Sequence, residues 1–488
     1  MARWKITIDT PSLGGYPPNY INETYPSFGN KNQAGAMQNM DLTNPGFITQ
    51  GPGLADYSTS GPTISSLVRS VLEIPVAATE SVAIGGSYIY HFSTSSILGS
   101  HLIDKAAVTG EDGEDVVQYG SNVYYTYNHS GSAGDIGKAD TGFAGYDDDW
   151  GSTVPSGAAT LDGSTGVGHQ LKVGGNDVMY FANGRYIGSY DGTTLQTQAL
   201  DLSTGSVVAS IAWLNDRLWI AANKPSTTQS NVKTEASIYV WNGTTDSWDS
   251  SITFPGLIGA LFVRRGIMYV WYAEISTTGL YKLGYISGNA IVDLCQFSGS
   301  LPMYYQVTEY KDFLMWVSSG VIYAWGSGEA SLPARLFQYC DGGYTNVGGV
   351  GTPFGKLLIG SYDGVSTYRF AQVFNYDTAC NWKSLLFDIT GENEHESGAV
   401  EKIRINFEKL TSGAAVALAL VDNQGRTIYS DAISYAKATA TTPKHTLTSV
   451  LIPLNGKITE NFRIEFDYTS GSTTAPVKIK NIKIWGRN

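Results

Sequence analysis

The chain has 488 residues, of which 15% are charged and 12% aromatic, with 56 glycines, 31 tyrosines and a formal net charge of −12. This length exceeds one ordinary core, and the composition suits many short strands and turns rather than a helical or disordered chain. With no basic run, the chain lacks the clustered Lys and Arg that nucleic-acid binding requires.

Residues 1–60 read as an extended N-terminal arm. Pro11, Pro17, Pro18, Pro26, Pro45 and Pro52 interrupt any long element, and the first strand signal is Trp4-Lys5-Ile6-Thr7-Ile8. The start has no signal-peptide core and no apolar run reaches membrane-spanning length. Synthesis in a cytoplasm without membrane insertion is therefore expected. Two roles are open for the arm. Met40-Asp41-Leu42 and Gly46-Phe47-Ile48-Thr49 can complete the last blade of a ring, or the arm can cross to a neighbouring subunit. The stretch Ser65-Ser66-Leu67-Val68-Arg69-Ser70-Val71-Leu72-Glu73 is too short to separate a strand from a helical turn.

From about residue 61 to 380 one pattern recurs. Trp213-Leu214-Asn215-Asp216-Arg217-Leu218-Trp219-Ile220 is an apolar pair, a tight polar turn and an apolar run, which is a hairpin signature. Copies begin at Ile84, Tyr119, Val173, Val263, Tyr310 and Phe354, at intervals of roughly 35 to 55 residues, the period of propeller blades. A further short strand follows several copies, as in Ser237-Ile238-Tyr239-Val240-Trp241 and Val321-Ile322-Tyr323-Ala324-Trp325. Such small sheets bury their faces by stacking radially. The expected fold is all-β: a β-propeller of about seven blades with an N-terminal arm and a C-terminal β-sandwich.

Within that span, Tyr146-Asp147-Asp148-Asp149-Trp150-Gly151-Ser152 reads as part of a polar loop on one face of the ring. The boundary to the last domain falls near residue 380. From 381 to 488 the strands alternate with period two, as in Phe462-Arg463-Ile464-Glu465-Phe466-Asp467-Tyr468, and Val400-Glu401-Lys402-Ile403-Arg404-Ile405-Asn406-Phe407 alternates from Lys402 on. A stretch near the end alternates with a break at Asn481. A jelly-roll-like sandwich is expected there.

Chemistry-bearing motifs are sparse. Cys295, Cys340 and Cys380 are too few and too far apart for a disulfide framework or a CxxC metal site, and read as buried thiols. The six histidines form no HExxH, and there is no nucleophile elbow, phosphate loop or dinucleotide fingerprint. In Gly349-Val350-Gly351-Thr352-Pro353-Phe354-Gly355-Lys356 the glycine spacing to Lys356 is wrong for a phosphate loop. The weak metal candidates are Asp147, Asp148 and Asp149, a carboxylate run that can take a hard cation such as calcium or stand as a solvated loop. Glu392, Glu394 and Glu396 beside His395 pose the same choice. Ser189-Tyr190-Asp191-Gly192-Thr193-Thr194 and Ser361-Tyr362-Asp363-Gly364-Val365-Ser366 resemble the Asp-box turns of sialidase-type propellers. They lack the residue between Asp and Gly and the closing Trp, and read as type I′ hairpin turns. No catalytic residue, cofactor or enzymatic activity is expected.

Two stretches carry a resemblance. One is Asn30-Lys31-Asn32-Gln33-Ala34-Gly35-Ala36-Met37-Gln38-Asn39-Met40-Asp41-Leu42 with its continuation to Leu54. The other is Gly134-Asp135-Ile136-Gly137-Lys138 with Asp147-Asp148-Asp149-Trp150-Gly151-Ser152-Thr153-Val154-Pro155. Together, over less than a fifth of the chain, they resemble a group of tailed-bacteriophage virion proteins, called tail or structural proteins. The resemblance implies a structural or adsorption role in a virion assembled in the host cytoplasm. Arm and sandwich are then expected to carry contacts to other virion proteins, including further copies of this chain, while one propeller face points outward. The alternative is a propeller that binds or cleaves a host surface glycan.

Overall fold

The computed structural model describes residues 3–8, 34–38, 40–43, 47–57, 62–72, 80–104, 110–129, 132–163, 168–225, 233–274, 279–327, 334–341, 346–376, 380–384, 387, 399–458, 461–468 and 475–487. Between residues 52 and 376 the described chain forms seven four-stranded antiparallel sheets. In chain order they lie within residues 70–102, 111–147, 171–201, 207–254, 256–298, 307–341 and 346–376, the last completed by Pro52–Asp56. The first strand of each sheet touches that of the next, and the seventh touches the first. The fold is a β-propeller.

Turn chemistry explains the hairpins. Leu214 pairs with Arg217, and Asn215 and Asp216 both hold positive φ, at 52° and 56°. That is a type I′ turn, whose twist matches the flanking strands. Arg265 with Gly266 and Lys311 with Asp312 repeat it. The second strand of a sheet lies between two neighbouring sheets, so both its faces are covered. Phe313–Ser318 is buried at every residue, and so is Met179–Asn183. This is why such strands read as apolar runs rather than as alternation.

The copy at Ile84 is one strand out of phase with the others. It joins the second and third strands of its sheet, Glu80–Gly85 and Tyr88–Ser93. The innermost strand there is only Ser70–Val71, within the stretch that periodicity could not assign. The Asp147 stretch is likewise more than a loop: Tyr146–Asp147 is the outer strand of the second sheet, followed by a short helix, Trp150–Thr153. Trp150 is buried between the second and third sheets, with ring centroids 4.8 Å from Tyr124 and 5.0 Å from Tyr190.

Two further sheets make the sandwich. One runs in the order Arg3–Ile8, Ile479–Arg487, Ala399–Phe407, Ser449–Ile458; the other runs Ala34–Gln38, Asn381–Ser384, Phe462–Asp467, Ala415–Asp422, Thr427–Ser434. Register shifts sit where the alternation falters, between Val400 and Lys402 and between Asn406 and Phe407 opposite Asn481. An extra residue in one strand of a pair restores the inward phase.

The N-terminal segment contributes to both sandwich sheets as well as to the propeller. The strand that completes the seventh sheet is Pro52–Asp56, not Met40-Asp41-Leu42 or the stretch ending at Thr49. Those residues sit at the junction instead. The Met40 amide donates to Gln338 O and Ile48 bridges Ile479. Met40, Leu42 and Ile48 are buried in one core that joins the sixth and seventh sheets to the sandwich.

Candidate functional site

The three consecutive carboxylates do not converge. Asp147 is exposed at a strand end, while Asp148 turns inward and Asp149 precedes the short helix. His101 Nε2 lies 3.0 Å from Asp148 Oδ2, the Asp104 amide donates to the same oxygen at 3.0 Å, and the Tyr125 hydroxyl donates to Oδ1. Burial opposes the charge of Asp148, but the bonds from His101 and Tyr125 outweigh it and hold the carboxyl below its usual range. Asp148 is a tie between the first and second sheets. Among the described residues no group of three His, Cys, Asp or Glu side chains is placed to hold a metal ion. The cluster of Glu392, Glu394, His395 and Glu396 lies outside the described residues. Asp148→Ala is expected to cost about 2–4 kcal/mol, because the buried Tyr125 hydroxyl loses its acceptor. Asp147→Ala is expected to stay within about 0.5 kcal/mol of the parent. Urea unfolding of the two variants checks the contrast.

The Asp-Gly turns differ from a type I′ geometry. Gly192 and Gly364 have positive φ, at 94° and 85°, whereas neither Asp191 nor Asp363 does. Each aspartate instead caps its own loop: Asp191 Oδ1 accepts from the amides of Thr193 and Thr194, and Asp363 Oδ1 from those of Val365, Ser366 and Thr367. An Asx turn of this kind uses the short carboxylate as a backbone mimic.

The polar groups that do converge lie in the central channel, at the face where the innermost strands begin. A cavity of about 400 Å³ opens there, and a second of about 370 Å³ lies deeper among the innermost strands. The connector from the fifth to the sixth sheet separates them. Its short 3-10 turn, Tyr304–Gln306, puts Tyr304 against both cavities, and the Tyr304 hydroxyl donates across the ring to Glu114 O at 3.2 Å. Gln306 anchors the turn, its Oε1 accepting from the Met303 amide and its Nε2 donating to Val347 O.

The wall opposite is charged. Arg69 NH2 lies 2.6 Å from Asp112 Oδ2 and NH1 lies 2.5 Å from Glu114 Oε1. Asn128 Nδ2 also donates to Glu114 at 3.1 Å, and the buried His169 stands 3.0 Å from Asn128 Oδ1. Behind them Asp115 is buried, accepting from the Ser70 hydroxyl and from the amides of Val116 and Leu171. It thereby ties the first, second and third sheets together. Sequence reading missed this constellation. Its only trace is Glu111-Asp112-Gly113-Glu114-Asp115, an acidic opening to a strand that continues Val116-Val117-Gln118-Tyr119 without a further charge.

Burial pushes Glu114 up to about 7 against the opposing pull of Arg69, and pushes Asp115 up to about 6 against its hydrogen bonds. In the unfolded chain these groups release their protons near their ordinary values of 4.5 and 3.8. Between those values and their folded ones, the folded state holds protons that the unfolded state has lost. Their contribution is therefore greatest in mild acid and is lost as pH rises through about 4 to 7. The melting temperature is expected to fall between pH 5 and pH 8, with a free-energy change on the order of a few kcal/mol. Glu114→Gln removes about two thirds of that change, since its folded value lies higher above pH 5 than that of Asp115. Scanning calorimetry of parent and variant at both pH values measures it.

No family model and no curated protein matches the chain. Many solved structures align with it, among them these three. An exo-β-1,3-galactanase from Phanerochaete chrysosporium with galactose is 10% identical over 68% of this chain and 98% of its own, with a TM-score of 0.31. The PQQ-bound aldose sugar dehydrogenase from Streptomyces coelicolor is 11% identical over 66% and 97%, with a TM-score of 0.38. YCF48 bound to D1 peptide is 10% identical over 69% and 99%, with a TM-score of 0.43. At such identities and scores none of them carries an activity, a ligand or a residue role to this chain.

Proposed function

We propose that this protein is a structural component of a tailed-bacteriophage virion, associated with the tail, that acts by assembly and surface contact rather than by catalysis. The observation that carries this reading is how the chain uses the two stretches that resemble phage virion proteins. One is built into both domains: Ala34–Gln38 pairs in the sandwich, Met40 and Leu42 lie in the shared core and Pro52–Asp56 completes the propeller. The other wedges Trp150 and Asp148 between neighbouring sheets. The first therefore ties the two domains together through shared strands and core, and the second braces neighbouring sheets of the propeller, which suits a component built into a particle. Assembly contacts run through the sandwich, whose outermost strands Arg3–Ile8, Ser449–Ile458, Ala34–Gln38 and Thr427–Ser434 each present a backbone edge. Mass spectrometry and antibody labelling of purified particles from a phage that encodes the chain test the proposal. Finding the protein only in the lysate supernatant, and never in particles, would sink it.

A second reading, cleavage of a host surface glycan, has one observation in its favour. Glu114 sits at a cavity wall with its carboxyl raised to about 7, the property of a general acid. Its Oε1 is already engaged by Arg69 and Asn128. Release of reducing ends from host capsule by the parent, abolished in Glu114→Gln, would establish this reading over the first.

A further inference from the structure

We infer that the cavity at the channel mouth is a saccharide-binding subsite for a neutral sugar unit, with Tyr305 as its platform and Asp112 and Arg69 as its hydrogen-bonding pair. The inference stands on the channel geometry and holds whether or not the protein belongs to a virion.

Three features identify the ligand class. The first is shape: the cavity of about 400 Å³ is lined by Tyr304 and Tyr305 of the connector turn, so a ligand inside it rests against that turn. Pockets of this size take small molecules. The second is the aromatic floor. Tyr305 is half-buried and meets Tyr304 edge to face, with centroids 5.2 Å apart at 84°. A sugar ring offers a C–H face to such a ring, while the Met303 side chain, 38% exposed, adds apolar surface beside it.

Charge is the third. One guanidinium stands between two carboxylates, so an anion meets Asp112 and Glu114 and a cation meets Arg69. A neutral polyol satisfies both signs, because each hydroxyl donates and accepts. Asp112 is the accessible member, its side chain 44% exposed against 9% for Glu114. It can accept from adjacent hydroxyls while Arg69 donates to a sugar oxygen.

Saturation-transfer NMR with maltose, cellobiose, lactose and mannobiose tests the site, with spermidine as the cationic probe. At least one disaccharide is expected to receive transfer from the parent protein. Asp112→Asn and Tyr305→Ala are each expected to weaken binding by about tenfold. Tyr362→Ala, which removes a ring of the stacked pair Tyr362–Tyr368 at the strand ends of the seventh sheet, is expected to change nothing. Should Tyr305→Ala melt below the parent, Asp112→Asn at the solvent-facing side carries the test. The inference is overturned if no disaccharide shows transfer, if only Tyr362→Ala abolishes it, or if spermidine alone binds and is lost in Asp112→Asn.

Discussion

Deleting residues 1–57 is expected to leave neither domain folded, although the sequence of this segment reads as an extended arm. The deletion removes Pro52–Asp56 from the seventh sheet, Ala34–Gln38 from one sandwich sheet and Arg3–Ile8 from the other. It also removes Met40, Leu42, Ile48 and Tyr57, all buried. Buried side chains of this size cost about 2–5 kcal/mol each when truncated, and a whole domain is stable by only about 5–15 kcal/mol. The loss of three strands comes on top of that. Deleting residues 1–8 alone is a milder change, because Arg3–Ile8 is an outermost strand of its sheet. That variant is expected to fold with a lowered melting temperature. Calorimetry and amide NMR dispersion distinguish the two. A cooperative transition for the 1–57 deletion within a few degrees of the full chain would show that the segment is an accessory.

Much of the fold was legible because it is written in local chemistry. Asn215-Asp216 demands a left-handed pair, and the same demand at Arg265-Gly266 and Lys311-Asp312 marks successive sheets. Alternation in Phe462–Asp467 marks a strand with one wet face. What stayed hidden depends on distant partners. Nothing local says that Pro52–Asp56 pairs with Tyr368–Tyr376, more than three hundred residues away in sequence, or that Ser70–Val71 is a strand at all. The channel mouth was hidden for the same reason. Arg69, Asp112, Glu114 and Tyr305 come from three different sheets or connectors, and each looks unremarkable among its own neighbours. The Asp147-Asp148-Asp149 run shows the converse: adjacency in sequence left a cation site or a solvated loop open, but the strand ends at Asp147 and the chain turns at Asp148, which went inward to His101 while Asp147 stayed out.

Gly349→Val is expected to be among the most damaging single substitutions in the chain, by about 3–5 kcal/mol. The seam between the seventh and first sheets joins strands that lie far apart in the chain. Gly349 lies in Asn346–Gly351 against the backbone of the first sheet, its amide donating to Val68 O at 2.8 Å. A Cβ at Gly349 would stand 1.9 Å from Arg69 O, and that oxygen belongs to backbone that cannot rotate aside. Gly349, one of the glycines that gave this stretch its phosphate-loop look, is thus there for close approach of two backbones, and Lys356 crosses the same seam to donate to Thr94 O at 2.6 Å. Intrinsic strand preference argues the other way, since valine favours strands and glycine weakens them. Gly99 separates the two effects. It also lies in a strand, Ile97–Leu102, but a Cβ there meets nothing within 4 Å. Gly99→Val is expected to be neutral or to stabilise by up to about 1 kcal/mol, while Gly349→Val loses the seam. Equilibrium unfolding in urea compares them directly. Equal midpoints for the two valine variants would mean that the seventh and first sheets do not close on each other through Gly349.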